Sequence, residues 1–167
     1  MPGLGMMQTW TPRVLFGATA IKGFWLDVSD MSTMFQDAAG TIACAINSPV
    51  GVIKDKSGDA NDFFQSTSGN RPTLKRDSSN RLYLDFGGTH WLSANLSTTD
   101  LGGNISKTIY TAGKFNASSG ADGTYNTFFV MGDTTGSPSN GSMFGLSGGH
   151  SQYKNTLFQW AYDAAGS

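Results

Sequence analysis

Proton transfer, nucleophilic attack and metal binding each need particular side chains at particular spacings. The 12 acidic residues are all Asp. A retaining glycosidase places a close carboxylate pair, commonly Glu, beside the scissile bond. Here Asp85 stands alone on its strand-like segment, and no such segment carries two Asp at i, i+2 or i, i+4. Imidazole bases are limited to His90 and His150. Gly145-Leu146-Ser147-Gly148-Gly149 has the letters of a nucleophile elbow, but that elbow needs a strand-to-helix turn followed by Asp and then His. No helical pattern follows, and no His lies beyond Asp163. A Gly-rich turn is the expectation for those five residues. His90 is expected as a half-buried strand residue, and Cys44, between Ala43 and Ala45, as a small core residue and not a reactive thiol. No catalytic residue is assigned, and the chain is expected not to be an enzyme.

Asp55, Ser57, Asp59 and Asn61 alternate oxygen-bearing side chains in the manner of a calcium loop. The sixth-position Gly and twelfth-position bidentate Glu of the helix–loop–helix version are missing, so a solvated turn is expected, with no cofactor. Trp91, Tyr125 and Tyr153 are the aromatics placed to stack on sugar rings. Trp160, near Leu157, Phe158 and Tyr162, reads as a packing residue.

The elements that must position these groups follow from composition and period. Charged residues make up only 14% of the chain, and 22 residues are Gly, which favours a turn-rich all-β protein over a helical one. The net charge of −1, without a basic run, leaves no means of neutralising phosphates, so nucleic acid is not an expected partner. No apolar stretch reaches spanning length, so no membrane insertion is expected. The first residues lack the basic-then-apolar order of a signal peptide. Cys44 is the one cysteine, which excludes an internal disulfide and fits folding in a reducing cytoplasm.

Residues 1–19 mix Pro and Gly with Met6, Met7, Trp10, Leu15 and Phe16. They predict an extended arm whose apolar side chains dock on another chain. Residues 23–28 are strand-like, and Met31, Met34 and Phe35 at i, i+3, i+4 predict a short helix near 30–36. Residues 71–92 read as strand, turn, strand, bend, strand, with Leu82, Leu84 and Phe86 alternating with Tyr83 and Asp85. Further strands are predicted over 105–115, 127–131, 142–147 and 156–162. The last run places Leu157, Gln159 and Ala161 opposite Phe158, Trp160 and Tyr162. Without Lys, Pro or a bulge it presents an edge, through Leu157, Gln159 and Trp160, that invites pairing.

Three motifs in order add a resemblance. They are Trp25-Leu26-Asp27-Val28-Ser29-Asp30-Met31-Ser32-Thr33-Met34-Phe35-Gln36-Asp37-Ala38-Ala39-Gly40-Thr41; Pro49-Val50-Gly51 with Asp55-Lys56-Ser57-Gly58; and Arg71-Pro72-Thr73-Leu74 with Leu84-Asp85-Phe86-Gly87-Gly88. Together, over residues 23–133, they resemble the laminin-G-like, concanavalin-A-like jelly-roll domains of tailed-phage and prophage structural proteins. The chain departs from that pattern after Phe86, where Gly88-Thr89-His90-Trp91 stands in place of a second acidic cluster.

The resemblance implies an all-β, two-sheet antiparallel jelly-roll sandwich over 20–167 behind a docking arm at 1–19. The sandwich is completed either by a neighbour or by residues beyond Ser167. It also implies a virion role after assembly in the bacterial cytoplasm. Expected partners are other virion proteins, further copies of this chain, and host-surface carbohydrate. The alternatives are a free carbohydrate-binding module of a secreted enzyme, or a glycoside hydrolase of the same fold, which the missing Glu disfavours.

Overall fold

The computed structural model describes residues 12–17, 21–87, 89–96, 108–114, 126–131, 143–150 and 153–162. The chain divides into two compact units, Met1–Leu101 and Gly102–Ser167. The described elements are mostly antiparallel strands with little helix, the all-β class expected from the composition.

The first unit is built on three two-residue strands, β1 (Met34–Phe35), β2 (Val52–Ile53) and β3 (Phe63–Phe64), in that spatial order. Met34 pairs with Ile53 and Ile53 with Phe63, while Phe35 pairs with Val52 and Val52 with Phe64. Directly opposed residues share a face, so Met34, Ile53 and Phe63 point to one side and Phe35, Val52 and Phe64 to the other. The first side is the core. Met34, Cys44, Val50, Ile53 and Leu74 are buried there, with Leu26, Val28, Met31, Leu82, Leu84 and Leu92 packed around them.

A hairpin completes the unit. β4 (Thr73–Arg76) and β5 (Leu82–Asp85) pair Leu74 with Leu84 and Lys75 with Tyr83. Asp77 organises the turn: its carboxylate accepts from the backbone N–H groups of Ser79 and Arg81, both at 2.9 Å. Asn80 takes the left-handed conformation there, φ 66°, which Asn tolerates better than most residues. The hairpin is fastened to the sheet by 47–50. Val50 donates to the Pro72 carbonyl at 2.8 Å, Asn47 donates to Leu74, and Leu74 donates back to Ser48. Thus strand–turn–strand holds as predicted, but its aromatic end does not turn inward, since Phe86 is 47% exposed.

Three local expectations are corrected. The helix near 30–36 is a single 3-10 turn, Met31–Thr33, and Met34 already belongs to β1. Asp30 caps the turn by accepting from the Ser32 N–H, and ladder bonds to β2 then claim the chain before a second helical turn forms. Residues 23–27 form no strand and Val28 already begins a turn, because side chains of the 55–61 loop take up the backbone groups of Gly23 and Trp25, as described below. Within 1–19, Pro12–Gly17 is a short helix, α1, and not extended. Pro at its first position has the torsion preset and no N–H to lose.

The second unit contains an antiparallel meander, β6 (Asn126–Met131), β7 (Met143–His150) and β8 (Tyr153–Tyr162). These cover the strands predicted at 127–131, 142–147 and 156–162. Gly145–Gly149 lies inside β7 and is not a turn: Gly145 pairs with Trp160, Ser147 with Phe158 and Gly148 with Leu157. Two long flanking partners hold the glycines extended, overriding their turn preference. Of the strand predicted over 105–115, residues 108–114 are described and form no strand.

Candidate functional site

The Asp55-to-Asn61 loop is not a solvated turn but the most densely bonded polar cluster among the described residues. The Asp55 carboxylate accepts from the backbone N–H groups of Trp25 (2.8 Å), Ser57 (2.8 Å) and Asn61 (3.0 Å) and from the Ser57 hydroxyl (2.6 Å). The carboxylate of Asp59 accepts from the Gly23 N–H at 3.0 Å and pairs with Lys22 at 2.8 Å. Asn61 donates its amide to the Gly23 carbonyl at 2.7 Å. The alternating oxygens therefore face protein donors, replacing the ladder that 23–28 lacks. A cation would have to displace several of these bonds, and among the described residues no three His, Cys or Asp side chains converge as a metal site.

Beside this loop lies an ionic knot. Lys56 reaches Asp27 at 2.9 Å and Asp30 at 2.8 Å and sits 4.7 Å from the centre of the Trp25 ring. The hydrogen bonds from Lys56 and Ser32 hold the Asp30 carboxyl down at about 2. Burial pushes the Asp27 carboxyl up, but hydrogen bonds from Ser29 and Lys56 outweigh it and lower it overall. Lys56 is raised in turn by the same two carboxylates. Asp37 is lowered chiefly by the Ile42 N–H, Asp59 by Lys22 and the Gly23 N–H, and Asp77 by the Arg81 N–H. With Asp62 bonded to Lys54 and Asp85 to Lys75, every described Asp serves a structural contact.

The remaining candidates are placed as follows. Met6, Met7, Trp10 and Tyr125 lie outside the described residues. Leu15 is partly exposed on α1, whereas the Phe16 ring packs against Gly23, where an added Cβ would stand 2.9 Å from it. The Phe16 ring thus packs within its own unit. Trp91 is 49% exposed, the accessibility that ring stacking needs. Tyr153 opens β8 opposite His150. Leu157, Gln159 and Trp160 pair with Gly148, Leu146 and Gly145, and β8 ends the sheet order among the described residues. Cys44 is buried as expected, and burial together with the Asp37 charge pushes its thiol up to about 11. His90 is not in a strand; its Nδ1 accepts from the Gly87 N–H at 2.9 Å and closes the bend.

Sequence inspection missed two arrangements. One is the Lys56 knot, whose partners lie 26 and 29 residues away. The other is the Lys54–Asp62 pair beside Phe64. Only the Phe63-Phe64 doublet signalled the latter, since adjacent residues on a strand must face opposite sides.

No family model, curated protein or solved structure matches this chain.

Proposed function

We propose that this chain is a non-enzymatic structural protein of a tailed-phage or prophage virion: a jelly-roll domain displayed on the tail, or as a fibre or decoration. Its N-terminal segment anchors it to other virion proteins, it is present in several copies, and it grips host-surface glycan. The supporting observation is that the three motifs carrying the resemblance are bonded to one another. Trp25 of the first donates to Asp55 of the second, and Gly51 of the second donates to Phe35 of the first. Arg71 of the third donates to the Gln36 carbonyl of the first at 2.9 Å, and Val50 of the second to the Pro72 carbonyl of the third. Residues 25–41, 49–58 and 71–74 therefore form one structural unit, as motifs of a single domain type should. The engaged carboxylates add to this. Asp27, Asp30, Asp37, Asp59 and Asp77, held low and bonded, suit a scaffold better than a general acid, which works with a raised pKa.

The test is particle composition. Virions from a host expressing the full chain and a variant lacking residues 1–19 are purified and analysed by mass spectrometry, with circular dichroism of each free protein. The expected outcome is a folded truncation that is absent from particles that contain the full chain. A full chain absent from particles, or a truncation incorporated normally, overturns respectively the virion role and the anchor.

A further inference from the structure

A shallow hollow of about 280 Å3 opens on the face of the first unit's sheet away from the core. Its size is just below the ~300–1,000 Å3 of pockets for drug-sized ligands, so it suits a single ring. Phe64, 37% exposed, supplies its apolar surface, and the buried Val52, directly paired with it across β2 and β3, forms the floor behind it. Beside them, two residues along the chain from each, stand polar groups that the fold has already oriented. Lys54 and Asp62 form a 2.8 Å ion pair, and the second Asp62 oxygen accepts from the Asp55 N–H at 2.8 Å. Asn61 is fixed by the hydrogen bond its Nδ2 donates to the Gly23 carbonyl, and its Oδ1 accepts no hydrogen bond among the described residues. Ala60, in the left-handed region at φ 57°, makes the turn that delivers Asn61 and Asp62 to this wall. Strained non-Gly backbone of this kind concentrates at ligand sites.

The chemistry selects the ligand. The two charges cancel within one ion pair, so no net charge is left to attract an ion. Each Asp62 oxygen retains a lone pair and Lys54 retains donor capacity, which are partners for hydroxyl groups. An aromatic side chain beside fixed donors and acceptors matches a ring with C–H groups on one side and hydroxyls at its edge. We propose that this hollow is a binding subsite for one neutral pyranose ring of a surface glycan, with Phe64 under the ring and Asn61, Asp62 and Lys54 on its hydroxyls. The assignment rests on the glycan-gripping part of the proposed function and moves its centre from Trp91 to Phe64.

The experiment titrates the full chain with the methyl glycosides of glucose, galactose, mannose and N-acetylglucosamine, using glucuronic and sialic acids as charged comparators, by saturation-transfer NMR. Phe64→Leu, Asn95→Ala, which removes an exposed side chain lining the hollow, and Trp91→Leu are compared after a thermal melt of each. Expected are binding of at least one neutral glycoside, a loss of about tenfold in Phe64→Leu, the scale of one aromatic contact, a smaller loss in Asn95→Ala, and no change in Trp91→Leu. If Phe64→Leu does not fold, a loss in Asn95→Ala alone supports the site and no loss there overturns it. Binding lost only in Trp91→Leu overturns the site while sparing the glycan role. Binding of charged sugars alone, or of none, overturns it. Neutral-sugar binding at this hollow by a protein absent from particles upholds the site and removes the virion role.

Discussion

Asp55 concentrates the residue-scale lesson, because one half-buried carboxylate replaces part of a missing strand pairing. Truncation as Asp55→Ala strands the N–H groups of Trp25, Ser57 and Asn61, and groups left unsatisfied cost roughly 1–3 kcal/mol each when buried. With partial solvent access, a total destabilisation of about 2–3 kcal/mol is expected in a urea titration. In the native chain, excess calcium should leave the melting temperature where chelator leaves it, since the loop oxygens are already engaged. A second expectation concerns acid. The folded pKa of Asp30 is depressed to about 2, below an unfolded value of about 3.9, and Asp27, Asp37, Asp59 and Asp77 are shifted the same way. The unfolded chain therefore binds more protons between those values, and stability present above pH ~4 is lost as pH falls towards ~2. Melts across that window should show the fall, and Asp30→Asn should flatten part of it.

At the scale of elements, short strands are held by what crosses them. β1, β2 and β3 have two residues each, fewer than a typical strand of 5–6 residues. Their order comes from contacts beyond the ladder: Arg71 donates to the carbonyls of Gln65, Ser66 and Gln36, and Gly51 lets β2 approach the Asp37 turn. A Cβ on Gly51 would stand 2.5 Å from the Asp37 carbonyl carbon and 2.6 Å from the Gln36 oxygen. That is backbone and cannot swing aside, so Gly51→Ala should cost about 1–3 kcal/mol, read as a lower urea midpoint with an unchanged slope. Gly58 has open space around it but φ 100°, so a side chain there is opposed by torsion and not by contact.

On the scale of the whole molecule, the second unit ends its described sheet on β8, a ten-residue strand. A long edge invites a further strand, and an isologous pairing with a second copy would satisfy it. The expected outcome is concentration-dependent association of the 167-residue chain by light scattering, weakened in Gln159→Pro, which removes one backbone donor, with circular dichroism confirming that the variant folds. A monomer at high concentration in both proteins contradicts this.

Period and composition alone determined the all-β class, the hairpin around Asp77, the strands over 127–131 and 156–162, and the burial of Cys44. Each depends on local alternation, turn chemistry or side-chain type, which are written in neighbouring residues. Tertiary structure alone decided the rest. Met31 to Phe35 carries a helical spacing, yet the ladder with Val52 and Ile53 draws Met34 and Phe35 into a strand after one 3-10 turn. Gly145 to Gly149 carries turn residues, yet β6 and β8 hold them extended. The Asp55 loop has the lettering of a cation site, yet donors from the Trp25 segment, some 30 residues earlier, occupy its oxygens. The physical reason is common to all three: local preferences amount to a few tenths to about 1 kcal/mol per residue, and a partner brought close by the fold, whose distance along the chain no spacing encodes, supplies as much or more.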